Sequence, residues 1–153
     1  MMFENNPKWN HMKDSQEAKG ISDQLLKQGK MRFREGAAEE DILRFEQDHG
    51  FCLPKKFKEW LLFSDGGEFF LPGGAYFRGV AHKPLINVDD RDTPDENHIV
   101  IGALATGEPL VFEKGREEIA VYDHETGQIQ EEERFSDTFV FLKSLSAYLG
   151  IGG

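Results

Sequence analysis

Residues 39–68 read EEDILRFEQDHGFCLPKKFKEWLLFSDGGE, and this stretch predicts two short amphipathic helices separated by a brief joint. Acidic residues fill the first turn of the first helix, where unpaired backbone N–H groups favour negative charge. Gly50 stands where such a helix commonly ends, and Pro54 has the fixed φ angle that suits the start of the next helix. The polar, glycine-rich residues 64–67 then end the second helix. A tight helix pair is therefore expected.

The apolar residues of this pair recur at helical spacing. Ile42 and Phe45 lie three residues apart in the first helix, and Phe57, Trp60 and Leu61 share one face of the second. Side chains at such spacing form one stripe along a helix. We expect the two stripes to pack the pair against the rest of the protein, with Trp60 in the core.

Helices are also predicted on either side of this pair and of the strands that follow it. Apolar spacing predicts a helix over residues 14–28, weakened by Gly20, and a closing helix that Ser136 caps and Gly150 ends. Between them, short apolar runs separated by turn residues predict strands at 68–71, 76–82, 98–104, 108–113 and 118–123, the last three as a meander. This order predicts an α+β fold: an antiparallel sheet of short strands packed by N-terminal helices and one C-terminal helix.

Length and composition fit one globular domain, and we expect residues 1–153 to form it. Apolar residues make up 39% of the chain and include 13 Phe, which is enough for an ordinary core. No apolar run is long enough to cross a bilayer, and the first residues lack the apolar stretch of a signal peptide. The sequence therefore predicts a cytoplasmic protein that does not bind membranes.

Cys52 is the only cysteine, so the chain can form neither an internal disulfide nor a cysteine-based metal cluster. Its apolar neighbours Phe51 and Leu53 favour a small core residue. The alternative is a catalytic thiolate, which needs a histidine base and an exposed electropositive site. His49 lies three residues away, but the turn at Gly50 leaves its orientation open. We expect Cys52 to be buried in the core.

The net charge of −10 is concentrated in one part of the chain. Residues 86–137 contain 15 Asp and Glu and 4 Lys and Arg, whereas the rest of the chain contains 13 and 14. Such a field repels phosphates, so we expect no binding to nucleic acid or to anionic membranes. The clustered acidity is interpreted either as a merely solvated, soluble face or as a surface for a basic partner.

Sequence motifs for common enzyme chemistry are missing. The chain has no G-x-S-x-G, no G-x-x-x-x-G-K-[ST], no G-x-G-x-x-G and no H-E-x-x-H. The acidic residues 89–96 suggest a calcium loop, but Pro94 takes a ligand position, Asp95 replaces the required Gly and Ile101 replaces the bidentate Glu. We therefore expect no metal, no cofactor and no catalytic residue.

The remaining acid–base candidates do not form a catalytic group. None of the five histidines pairs with another at the i, i+4 spacing of a zinc-binding helix. Residues 123–125, Asp-His-Glu, lie in a polar run ending at Gly127, which is typical of a turn. Glu131, Glu132 and Glu133 cannot flank one glycosidic bond, because successive residues of a strand point to opposite faces. We interpret these three glutamates as a charged, solvated edge.

The helix pair, the double glycine that follows it and three apolar strand segments together resemble the SUKH superfamily. This superfamily comprises α+β domains related to fungal cell-wall synthesis regulators and widespread in bacteria as immunity proteins. The resemblance covers roughly residues 39–145, and departs at Asp65, where many relatives have Asn, and at Gly107-Glu108, where they have Gly-Asp. The residues that carry it are Ile42, Phe45, Glu46, Gly50, Leu53, Pro54, Phe57, Leu61, Gly66, Gly67, residues 99–102, 110–112 and 119–123, Phe139 and Leu142.

The resemblance implies a non-enzymatic protein that binds and neutralises a cognate toxin, typically a nuclease-like effector. The acidic charge points the same way, because a nuclease must attract polyanionic substrate and is expected to be basic. An alternative is an intracellular interaction or scaffolding protein that regulates cell-envelope synthesis, and a third is an unrecognised enzyme. Self-association is compatible with the sequence, but no feature supports it.

Two acidic clusters and an aromatic pair are the predicted partner-binding residues. The first cluster, called the acidic loop below, consists of Asp89, Asp90, Asp92, Asp95 and Glu96. The second, called the glutamate run, consists of Glu131, Glu132 and Glu133. Tyr76 and Phe77, just after Gly73 and Gly74, are the expected anchors, because aromatic side chains often dominate interface energetics.

Overall fold

The computed structural model describes residues 15–81, 85, 86, 88, 93–123 and 125–150, without the side chains of residues 130–133. Within this part, helices precede and follow a run of strands, which confirms the predicted α+β class. The helices are α1 (Gln16–Gln28), α2 (Glu39–His49), α3 (Lys55–Phe63) and α4 (Thr138–Tyr148). The strands are β1 (Gly67–Phe69), β2 (Ala75–Phe77), β3 (His98–Leu104), β4 (Pro109–Glu113), β5 (Ile119–Asp123) and β6 (Gln128–Phe135).

The six strands form one sheet in the order of the chain, and each neighbouring pair is antiparallel. The predicted meander of three strands thus extends through the whole sheet. At one edge, Arg32 continues the pairing beyond β1, because its backbone exchanges hydrogen bonds of 2.9 and 2.8 Å with Glu68. Bulges interrupt the β3–β4 register between Val100 and Gly102 and the β5–β6 register between Ala120 and Tyr122.

The main core lies between the helices and one face of the sheet. Trp60 of α3 is at its centre, with no exposed surface, and its ring centroid lies 5.6 Å from that of Phe33 and 5.8 Å from that of Phe69. The indole N–H donates a 2.9 Å hydrogen bond to the carbonyl of Gly66, so this buried polar group is satisfied. The predicted core position of Trp60 is confirmed.

The turn after α3 is held by buried polar side chains. Ser64 Oγ donates to the Gly66 carbonyl at 2.9 Å, and the Asp65 carboxylate accepts the N–H groups of Val80 and Ala81 at 2.7 and 2.9 Å. Gly66 has a φ of +94°, and a Cβ there would lie 2.6 Å from the carbonyl oxygen of Phe77. Only glycine fits such a left-handed position with so close a neighbour. The turn thereby ties α3 and β1 to the segment that follows β2.

The joint between α2 and α3 is organised by Glu46. Its carboxylate accepts the backbone N–H of Leu53 at 2.7 Å and lies 3.3 Å from Lys58 Nζ. Gly50 ends α2 in the left-handed conformation, with φ of +73°, as predicted. The burial predicted for Cys52 is wrong, because this residue is exposed. In the extended joint, Leu53 points into the core and its neighbour Cys52 points outward.

Three other expectations need correction. The side chain that caps α4 is that of Asp137, which accepts the Val140 N–H at 2.8 Å, and not that of Ser136. Strand β2 ends at Phe77 and not at residue 82 as predicted. The N–H groups of Val80 and Ala81 are bound by the Asp65 carboxylate and not by a neighbouring strand. The five predicted strands omit β6, whose run of Gln and Glu has little of the β-branched and aromatic character typical of strands.

Candidate partner-binding surface

The face of the sheet opposite the main core is called the outer face here. Side chains alternate along a strand, so the neighbours of inward-facing Phe77, Ile99 and Phe112 lie on the outer face. A small apolar cluster occupies its middle, and no helix residue of the described part belongs to that cluster. The cluster contains Val100, Val111, Ala120, Tyr122 and the partly buried Ile129.

Carboxylates meet arginine and histidine side chains at the end of the outer face where β3 begins and β4 ends. Three pairs lie here: Asp95 with His98 at 2.8 Å, Glu113 with Arg116 at 3.2 Å, and Glu118 with Arg134 at 2.8 Å. Such pairs contribute little to stability where their side chains are exposed, but they place acidic and basic groups side by side. This end of the sheet therefore presents an ordered array of acidic and basic groups.

The structure describes two residues of the acidic loop, Asp95 and Glu96, and both are exposed. Asp95 Oδ1 accepts the Asn97 N–H at 2.8 Å and lies 2.8 Å from His98 Nδ1. The His98 hydrogen bond, then the Asn97 hydrogen bond, lower the pKa of the Asp95 carboxyl below its ordinary value. Asp95 is thus part of a turn as well as of the acidic loop. The other members, Asp89, Asp90 and Asp92, lie outside the described residues.

The backbone of the glutamate run belongs to β6, at the edge of the sheet, although its side chains are not described. One ladder of paired residues crosses the sheet from Ile99 through Phe112 and Ile119 to Phe135. The acidic loop precedes the first of these residues and the glutamate run precedes the last. With strands spaced about 4.8 Å apart, β3 and β6 are roughly 14 Å apart. Because β3 and β6 run antiparallel, the chain before Ile99 and the chain before Phe135 leave this ladder in opposite directions.

Several other acidic residues of the 86–137 region have structural partners. Glu117 accepts the N–H groups of Lys55 and Lys56 at 2.6 and 3.0 Å, at the start of α3. Asp123 accepts the Glu125 N–H at 2.9 Å in the turn after β5, and Asp137 caps α4. Part of the acidity that the sequence concentrates here therefore serves turns and helix ends.

The two predicted aromatic anchors have different environments. Phe77 is 2% exposed, and its ring lies 5.2 Å from that of Phe69 and 5.4 Å from that of Phe57. Its side chain belongs to the core, so it is removed from the predicted partner-contact residues. Tyr76 points to the outer face, is partly exposed, and borders a depression of about 280 Å³ with Leu71 and Pro72.

Arg78 also lies on the outer face, and sequence reasoning missed it. Its backbone N–H donates to the Ile101 carbonyl at 2.6 Å, which continues the β2–β3 pairing by one residue. Its Nη2 lies 3.5 Å from the hydroxyl of Tyr76, at the limit of a hydrogen bond. The alternation of Tyr76, Phe77 and Arg78 is a signal that could have placed this arginine beside Tyr76.

Neither a metal site nor a membrane span is found in the part of the chain that the structure describes. Groups of three or more His, Cys, Asp or Glu side chains suited to a metal ion do not occur there. The helices of that part are all too short or too polar to cross a bilayer.

The fold and this face define an α+β domain with helices on one side of an antiparallel meander and a charged surface on the other. The chain belongs to the SMI1 / KNR4 family (SUKH-1), whose family model matches residues 36–150. This match confirms the resemblance to the SUKH superfamily and includes the whole of the predicted 39–145 region. Membership supports an immunity or cell-wall regulatory role at the level of the family, which is generally non-enzymatic, and implies a protein partner. The comparison with curated proteins found no match.

Proposed function

We propose that this protein is a non-enzymatic bacterial immunity protein that binds and neutralises a cognate toxin through its acidic surface. The observation that carries the proposal is the concentration of acidic residues in 86–137, within a chain of the SMI1 / KNR4 family (SUKH-1). Exposed Glu96 and the end of the sheet beside it are the described part of that surface. A cytoplasmic location and a single domain over residues 1–153 belong to the same proposal.

A basic, nuclease-like domain is the partner that this charge favours. A nuclease concentrates positive charge where it holds the phosphates of its substrate. An acidic protein is attracted to that surface by complementary potential and blocks it without performing chemistry. The acidic loop and the glutamate run are the proposed sites of first contact, and Tyr76 is the proposed aromatic anchor.

Co-expression with the toxin tests this function. The gene to use is an adjacent open reading frame that ends in a compact basic domain, expressed from an inducible promoter in a heterologous host. We expect growth arrest when the domain is expressed alone and growth when this protein is expressed with it.

A charge-matched pair of variants shows whether the acidic surface matters. The loop variant carries Asp89→Asn, Asp90→Asn, Asp92→Asn and Glu96→Gln, and keeps Asp95 because that residue holds a turn. The control variant carries Asp23→Asn, Glu35→Gln, Glu40→Gln and Asp48→Asn, all exposed residues outside the acidic region. We expect the loop variant to lose protection and the control variant to keep it.

Regulation of cell-envelope synthesis is the alternative outcome. Absence of an adjacent toxin gene, together with a cell-wall defect when the gene for this protein is deleted, would favour a regulatory interaction protein. Failure of the wild-type protein to protect against a toxic neighbouring domain would contradict the immunity proposal.

A further inference from the structure

Among the residues that the structure describes, Arg78 of the outer face has no carboxylate within ion-pair distance, in contrast to Arg32, Arg116 and Arg134. Arg32, Arg116 and Arg134 each lie within 3.6 Å of a glutamate oxygen. Arg78 is partly buried, and no described residue supplies a hydrogen-bond acceptor to its buried Nε. The net charge of the chain is −10, so carboxylates are abundant, yet none of the described ones pairs with this guanidinium.

A buried donor without an acceptor costs stability, because it gives up its bonds to water and gains none in return. An arginine that served only the fold would be expected to have a partner or to be exposed to solvent. Binding sites trade stability for function, and a polar group there can obtain its missing partner from another molecule. The tyrosine hydroxyl at 3.5 Å is too distant to supply a strong bond.

We propose that Arg78 and Tyr76 form an anchor on the outer face that binds a carboxylate of the protein partner. The inference rests on the proposed function in taking that partner to be a protein. A planar guanidinium presents two parallel N–H groups that match a carboxylate, and arginine and tyrosine are the residues most enriched in interface hot spots. The depression of about 280 Å³ beside Tyr76 receives a neighbouring side chain of the partner.

A carboxylate is favoured over a nucleic-acid phosphate by the charge of the rest of the molecule. A net charge of −10 repels a polyanion, whereas a mainly basic protein surface can carry one acidic residue opposite Arg78. In this pair the positive charge is on Arg78 and the negative charge is on the partner, which is the reverse of the rest of the interface. The pair therefore favours one partner over other basic proteins and fixes its orientation. The anchor is therefore a specificity device within the acidic surface.

Thermal unfolding tests the anchor without a partner. Arg78→Met removes the orphan donor and keeps the apolar stem, so we expect the Tm to rise by about 2–4 °C. Arg44→Met is the control: Arg44 is exposed on α2, with 66% of its side chain accessible, and its replacement should change the Tm by less than about 2 °C. A fall in Tm for Arg78→Met would show that Arg78 serves the fold and would overturn the proposal.

Binding to the toxin domain recovered by co-expression tests the partner side. We expect Arg78→Met to weaken binding at least about 30-fold, mainly through faster dissociation, and Arg44→Met to leave it unchanged.

If the wild-type protein binds and Arg78→Met binds equally well, the anchor is wrong while the proposed function stands. If the wild-type protein binds no toxin, the proposed function fails and the Tm comparison still decides the placement of Arg78. Tight binding of a single-stranded RNA oligonucleotide that depends on Arg78 would overturn the carboxylate assignment.

Discussion

At the scale of single residues, several acidic side chains serve the fold rather than the surface. Asp65 is completely buried and accepts two backbone N–H groups, and Glu46 is buried and accepts a third. Backbone donors left without an acceptor in these places would destabilise the protein, because buried polar groups need partners. A charge count along the sequence includes both residues, although neither is available to a partner.

Trp60 carries the first prediction. Its replacement by alanine should destabilise the protein by about 3–5 kcal/mol, because a fully buried aromatic side chain is lost and a cavity remains. Trp60→Phe should cost less than Trp60→Ala, since it keeps part of the ring packing, leaves a smaller cavity and loses the hydrogen bond to Gly66. Urea denaturation of the three proteins measures both effects. A loss below about 1 kcal/mol for Trp60→Ala would contradict the central position of this residue.

Single residues also show where sequence reasoning works and where it fails. Trp60 is predicted correctly because helical periodicity fixes which face of α3 is apolar. The burial of Cys52 is predicted wrongly because this residue lies in an irregular joint. The joint has no helical or strand periodicity that would indicate which side chain points inward. The alternation of β2 could have separated buried Phe77 from Tyr76 and Arg78, but two aromatic residues in sequence conceal which face is the core.

At the scale of elements, the meander and the helix pair are joined by Glu117. Pro54 precedes α3 and offers no side chain to the first N–H groups of the helix. Glu117, from the loop between β4 and β5, binds two of these groups instead. A carboxylate is favoured there by hydrogen bonding and by the helix dipole. The contact is long-range in sequence, so no local pattern reveals it.

Removal of the Glu117 carboxylate, which caps the start of α3, gives the second prediction. Glu117→Ala should destabilise the protein by about 1 kcal/mol, because two N–H groups at the start of α3 lose their acceptor. Glu118→Ala is the matched control one residue away, since it removes an equal charge and breaks only an exposed ion pair with Arg134. Denaturation curves for both variants make the comparison. Equal losses would mean that Glu117 acts only as a surface charge.

The turn before β3 gives the third prediction, which concerns pH. Hydrogen bonds lower the pKa of Asp95 in the folded protein below its ordinary value of 3.8. A depressed carboxyl pKa contributes stability above pH 3.8 that is lost as the pH falls through the folded pKa. Asp95→Asn should therefore destabilise the protein near pH 7, by less than about 1 kcal/mol because the side chain is exposed.

The difference between Asp95→Asn and the wild-type protein should shrink as the pH falls below 3.8. Urea denaturation from pH 7 down to pH 2.5 follows it. A difference that stays constant over this range would mean that the ionised form of Asp95 has no special partner in the folded state.

At the scale of the whole molecule, the class of fold could be predicted because its main elements have strong local signals. Three helices before the strands, antiparallel pairing and a closing helix all follow from periodicity and turn residues. Strand β6 could not be predicted in this way, because its only apolar residues are Ile129 and Phe135 and its position is fixed by pairing with β5. The candidate surface was predictable as a region of charge. The surroundings of Arg78 and the contact of Glu117 with the start of α3 depend on residues that are distant in sequence, whereas Asp95 is bound within its own turn.

The central claim is the proposal that the acidic loop attracts a basic partner, and the fourth prediction concerns the rate of that attraction. Complementary charge accelerates encounter more than it slows dissociation, and salt screens it. Stopped-flow association of the toxin domain with the wild-type protein, the loop variant and the control variant, from 25 to 500 mM NaCl, measures the effect most directly. We expect the wild-type and control proteins to associate at least about tenfold faster at low salt than at high salt, and the loop variant to associate slowly with a shallow salt dependence. Equal rates and equal salt dependence for all three proteins would contradict the claim and leave the acidity as a feature of solubility alone.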